Sequence, residues 1–97
     1  MSGLLLVLTE QQGERVAAAV EMVAAAAALG RPVAVLLRGA AHGAELGLLR
    51  EMEVPLFACQ TAMAKSGVTA DALPAGVEPS GLVALLADRP GWQLLLA

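Results

Sequence analysis

The chain has 97 residues, 58% of them hydrophobic, with a net charge of −3 and 15% charged positions. That length suits one domain spanning residues 1–97, with enough apolar material for a single core. The six basic residues are scattered and Phe57 and Trp92 are the whole aromatic complement, so neither a basic patch nor a base-stacking surface is available and no nucleic-acid partner is expected.

Leu4-Leu5-Leu6-Val7-Leu8 is a continuous apolar run, the mark of a strand buried on both faces. It is too short, and lacks the basic flank, for a secretory signal. Thr9 to Gln12 has the spacing of a capping box, predicting a helix that runs to Leu29. Val16, Val20, Val23 and Ala27 recur there at helical intervals, and Gly30 is the stop. Arg31-Pro32 opens a second buried strand, Val33–Leu37. A loop of small residues, Gly39-Ala40-Ala41-His42-Gly43, and a short helix around Ala44–Met52 come next.

A third strand, Val54 to Ala58, ends at Cys59, and the helix-compatible stretch Thr61–Ser66 stops at Gly67. Thr69–Leu73 reads as a turn and Ala75–Glu78 as a brief strand. Ser80 is placed as N-cap of a helix over Gly81–Asp88, which Pro90-Gly91 terminates. Trp92–Leu96 is the last strand, its indole packing a helix. Charges interrupt every apolar stretch approaching the ~18 residues of a membrane span, so no membrane association is expected. Strands alternating with helices across short connections imply right-handed parallel crossovers. The predicted fold is therefore α/β, a three-layer α/β/α sandwich with a mainly parallel sheet of four or five strands.

Cys59 is the single cysteine. It cannot form an internal disulfide and fits a reducing, cytoplasmic setting. A cysteine at a strand-to-helix junction sits over the unpaired N–H groups of the helix start, which favour thiolate over thiol. In an open α/β sheet that edge is also where ligands bind. Against this stands the ordinary use of free cysteine as a small buried hydrophobe.

The remaining chemistry-bearing residues are sparse. His42 is the one histidine, in the loop after the second strand. That loop opens on the edge that carries Cys59, so His42 is an accessory candidate for lowering the thiol pKa or relaying a proton, and otherwise a solvated loop residue. Gln60, Thr61 and Met63 flank the thiol and are the other accessory candidates, Met63 as the lining of an apolar pocket or, like Met22 and Met52, as filler. Lys65 stands six positions after Cys59, where thiol phosphatases carry an arginine that grips an oxyanion bidentately, and an ammonium cannot replace that fork. Lys65 is expected to point away from the thiol onto a solvated face. Asp71 and Glu78 have no paired carboxylate, and one His with one Cys makes no metal site. Gly39 and Gly43 form no dinucleotide fingerprint and no Walker loop is present, so no cofactor is expected.

One family shares this arrangement. The strand followed by Thr-Glu, the Ala-rich helix, the block Ala58-Cys59-Gln60-Thr61-Ala62-Met63, then Ser66-Gly67-Val68 and the later Leu73, Gly76-Val77-Glu78 and Gly81 resemble the DsrE/TusD-like superfamily over nearly the whole chain. The cysteine block is closest to its DsrE-like branch. The resemblance implies a sulfur-relay protein in which Cys59 carries sulfur as a persulfide between donor and acceptor proteins. It also implies assembly as a dimer, trimer or hexamer. The low share of charged residues and the surplus of apolar surface point to a homo-oligomer as well. The alternatives are a non-catalytic assembly subunit with an inert Cys59 and a small-ligand module using the strand-edge crevice.

Overall fold

The apolar runs and helical segments resolve, in a computed structural model describing residues 2–39, 41 and 46–97, into nine regular elements. They are β1 (Leu4–Leu8), α1 (Glu14–Ala28), β2 (Val33–Leu37), α2 (Gly47–Glu51), β3 (Leu56–Cys59), α3 (Gln60–Ser66), β4 (Val77–Ser80), α4 (Leu82–Ala87) and β5 (Gln93–Leu96), with a short 3₁₀ turn over Ala70–Ala72. The strands form one sheet in the order β4-β3-β2-β1-β5, and every neighbouring pair is parallel.

The two most continuous apolar runs lie side by side in the middle, with Leu4 level with Val33 and Leu8 level with Leu37. A strand covered on both faces needs apolar side chains pointing both ways, which is why these runs do not alternate. Leu4, Leu6, Leu8, Val33, Val35 and Leu37 pack with Val16, Ala19 and Val23 of α1 and Leu49 of α2. Leu5, Ala34 and Leu36 face the other way, toward Ala62 and toward Leu85 of α4. Each fully buried leucine contributes about 1.5–3 kcal/mol, so these two strands hold much of the fold's stability. Coverage of the second face is thinner. The six-residue α4 leaves Val83 83% and Leu96 72% exposed, with Leu94 also open.

Several local expectations give way to longer-range partners. Helix α1 starts at Glu14 with Gly13 as its N-cap, not at a capping box from Thr9 to Gln12. The Thr9 hydroxyl instead donates to the Ala97 carbonyl at 2.9 Å, as does its N–H at 2.7 Å, tying the end of β1 to the end of the chain. Ser80 does not cap α4. It completes β4 opposite Cys59, and Gly81 takes the N-cap. β4 runs later than the predicted Ala75–Glu78 and contains Pro79, which an edge strand tolerates because its missing N–H can face outward.

β3 likewise begins at Leu56, because the Val54 N–H closes α2 on the Leu49 carbonyl. α2 starts at Gly47. The Ala44 start expected for it, and the loop residues His42 and Gly43, lie outside the described residues. Trp92 immediately precedes β5. Its indole joins the cluster containing Leu85 and lies over Gly3, where any Cβ would collide with it.

Candidate functional site

All five strands run in the same direction, so all five end at one edge of the sheet. At that edge β3 delivers its last residue, Cys59, straight into α3. Cys59 is extended, with φ −67° and ψ 117°, and serves as N-cap of α3. Gly67, left-handed at φ 69°, ends the helix. The thiol is free and its residue is 4% exposed.

Burial is the largest single influence on this thiol and disfavours its charged form. It is outweighed by the backbone N–H groups of Ala62 and Thr61 and by the Arg38 guanidinium, which acts through charge and a hydrogen bond. The net result holds Cys59 below its ordinary thiol value. Its sulfur does not close a regular side-chain cap on α3, but those two N–H groups lie near enough to favour the thiolate.

Arg38 reaches the sulfur because of strand register. Leu37 is level with Ala58, so the next residue of β2's chain comes level with Cys59. Ser80 flanks Cys59 from the opposite side. The Arg38 N–H donates to the Leu8 carbonyl at 2.8 Å, holding the residue against the end of β1. Its Nε is buried and has no hydrogen-bond partner.

Beside this pair opens a crevice of about 300 Å³ lined by Thr9, Arg38, Gly39, Ala62, Lys65 and Ser66. Two cations and two hydroxyls contribute to its wall, and no carboxylate does among the described residues. A larger cavity of about 570 Å³, between Gly30, Pro32, Met52, Pro55 and Trp92, lies where the strands begin. It is at the wrong end of the sheet to serve the thiol.

The predicted site residues separate into those near the sulfur and those elsewhere. Thr61 acts through its backbone N–H. Gln60 is exposed, with its amide oxygen beside Gly81. Met63 packs against the α1 and α2 side of the core, so it is filler and does not line the crevice. His42 lies outside the described residues. Lys65 is exposed as expected but does not turn away, because it lines the same crevice as Arg38. Ala62, Lys65 and Ser66 stand at i, i+3 and i+4 and share one helix face. Cys59 precedes the helix, so its six-residue separation from Lys65 does not follow helical geometry throughout. Arg38 was not anticipated at all. Among the described residues no group of three or more His, Cys, Asp or Glu gathers to hold a metal ion, and no helix is long and apolar enough to cross a membrane.

No family model matches the chain, and none of the curated proteins matches it in sequence. Solved structures do. The YchN protein from E. coli is similar to the whole chain over its own whole length, with a TM-score of 0.80 at 19% identity. MTH1491 from Methanobacterium thermoautotrophicum, a protein of unknown function, is likewise similar over the full length of both chains, with a TM-score of 0.74 at 21% identity. Likeness at such identities shows the fold. It supports the α/β architecture with a parallel sheet that the sequence predicts.

Proposed function

We propose that the protein is a small sulfur carrier in which Cys59 accepts sulfur as a persulfide and hands it to a protein partner. One observation carries this reading. The single cysteine sits at the ligand-binding edge of the sheet with two backbone N–H groups and an arginine favouring its thiolate. In the accepting step the thiolate attacks the outer sulfur of a donor persulfide. The new Sγ–S bond forms as the donor's S–S bond breaks, and the donor leaves as a thiolate with the electron pair. A partner thiolate then attacks the outer sulfur on Cys59 and regenerates it. One cysteine per carrier is sufficient, and no cofactor enters. The resemblance of the cysteine block to sulfur-relay proteins supports the same reading. Assembly as a homo-oligomer belongs to it, because Val83, Leu94 and Leu96 expose apolar surface on the thinly covered face.

The competing reading, an assembly subunit with an inert cysteine, draws on the 4% exposure of Cys59. Intact-mass measurement after incubation with a persulfide donor separates the two. The carrier gains the mass of one sulfur atom and Cys59→Ser gains none. A wild-type protein that stays unmodified, and whose thiol labels only after unfolding, is the assembly subunit.

A further inference from the structure

We propose that the crevice beside Cys59 binds a small sulfur oxyanion, and that the sulfur donor is of the thiosulfate class, a sulfane sulfur bonded to an oxyanion head. This rests on the persulfide-carrier reading and names its donor. The composition of the wall carries it. Arg38 and Lys65 bring two positive charges and Ser66 a hydroxyl, the Thr9 hydroxyl being committed to the Ala97 carbonyl, and no described lining residue is acidic. The Arg38 Nε is buried without a partner, a donor left unmatched beside the crevice. A guanidinium with a free N–H is suited to the oxygens of a planar or tetrahedral oxyanion. The segment from Cys59 to Lys65 has no arginine of its own, and β2's chain supplies one from the neighbouring strand.

The charges also match what the reaction needs. A thiolate and a thiosulfate dianion repel one another, and fixed cations at the meeting point offset that repulsion. The Cys59 thiolate attacks the sulfane sulfur, and the Sγ–S bond forms as the bond to the sulfonate sulfur breaks. The electron pair leaves with sulfite, and the negative charge of the former thiolate ends on the outer sulfur of the persulfide. Atoms and charge balance, and no external oxidant or reductant takes part. Arg38 and Lys65 hold the oxygens on which the leaving charge develops. At about 300 Å³ the crevice is at the small end of ligand sites, sized for an inorganic anion with its waters.

The test uses the whole reduced protein with two donors, thiosulfate and hydropolysulfide, the second having no oxyanion head. Wild type is expected to gain one sulfur atom from thiosulfate and release one sulfite per sulfur gained. Sulfite is expected to slow alkylation of Cys59 by neutral iodoacetamide. Lys65 is exposed and, unlike Arg38, is not among the groups that lower the thiol pKa, so Lys65→Met separates anion binding from thiol activation. The ratio of thiosulfate to hydropolysulfide uptake should fall about tenfold in that variant, roughly the loss of one charge-assisted contact. Arg38→Lys, which keeps the charge and loses the fork, should lower the same ratio.

Uptake from hydropolysulfide but not from thiosulfate, with no protection by sulfite, overturns the proposal and leaves the carrier intact. An unchanged donor ratio in Lys65→Met also overturns it. Failure of both donors removes the carrier reading together with this one.

Discussion

Arg38 and Arg89 each bury an Nε without a hydrogen-bond partner, and they sit at opposite edges of the sheet. Arg89 lies where the strands begin, with its guanidinium carbon 5.3 Å from the Phe57 ring centroid and 5.3 Å from that of Trp92. Its Nη1 donates to the Leu85 carbonyl in α4 at 3.3 Å. Two π faces and a helix carbonyl surround that charge, so it pins α4 to the sheet. Arg38 lies where the strands end, beside a nucleophile and a crevice. The same side chain is a clamp at one edge and a source of charge at the other. What separates the roles is the set of partners, aromatic rings in one case and a thiol in the other.

The largest expected effect removes both roles together. Val35, fully buried in the central strand, belongs to the core on which the two edges depend. Val35→Asp places an unpaired charge there and should cost about 3–5 kcal/mol. Denaturant unfolding checks this, and wild-type behaviour would contradict the burial of β2. Next in size, Arg89→Ala should cost about 2 kcal/mol, from two cation–π contacts of about 0.5–1 kcal/mol each plus lost stem packing. Labelling of Cys59 should be unchanged in that variant. A changed rate would mean that the two edges are coupled and the contrast is false.

How much of this contrast could be read from the sequence differs by residue. Leu4–Leu8 and Val33–Leu37 declared themselves as buried neighbouring strands because a run of apolar residues without alternation has few other uses. Cys59 at a strand-to-helix junction and Gly67 as the stop of α3 were legible for a similar reason, since each is decided by its immediate neighbours. Thr9 and Ser80 were misread because their real partners are distant in the chain, the Ala97 carbonyl and the β3 strand. A short polar residue offers a local cap in any sequence, and only the tertiary fold presents the competitor.

Arg38 was hidden for a related reason. In sequence it is one scattered cation, and nothing local links it to Cys59. The signal was nonetheless present, because Arg38 follows the second predicted strand directly while Cys59 closes the third. In adjacent parallel strands, residues at matching ends become neighbours. The same reasoning that brings the His42 loop to the Cys59 edge brings Arg38 there as well.

A smaller effect, on rate more than stability, tests the other arginine. Arg38→Met removes one of the influences that favour the thiolate and leaves burial, which opposes it, in place. Labelling of Cys59 by iodoacetamide at neutral pH should slow several-fold. The pH dependence of stability follows the same sign. Because the folded thiol ionises more readily than the unfolded one, its contribution is fully present above the ordinary thiol value of about 8.5 and is lost as pH falls through the lowered folded value. Wild type should therefore gain stability over Cys59→Ser as pH rises through that window. The gain should shrink when Arg38→Met is present in both proteins. A pH-independent difference would remove Arg38 from its role as charge source.

The smallest expected effect lies in the backbone near Arg89 and asks whether strain at that edge serves function. Glu53 has φ 59°, the one positive φ among the described residues other than glycine. It follows the C-cap of α2, and its N–H donates to the Arg50 carbonyl while that of Val54 donates to Leu49, both at 3.0 Å. This is a Schellman closure, with Val54 and Leu49 making its apolar contact. Gly30 occupies the equivalent place after α1, with φ 84° and the same pair of bonds to Ala27 and Ala26. A side chain in that left-handed conformation costs about 1–2 kcal/mol, partly offset by the extra chain entropy that glycine loses on folding. Glu53→Gly should accordingly stabilise the protein by about 0.5–1 kcal/mol in denaturant unfolding, with thiol labelling unchanged. If labelling shifted with stability, strain where the strands begin would be reaching the thiol where they end. A loss of stability would mean instead that the Glu53 carboxylate holds something at the clamp edge worth more than the relief of its backbone.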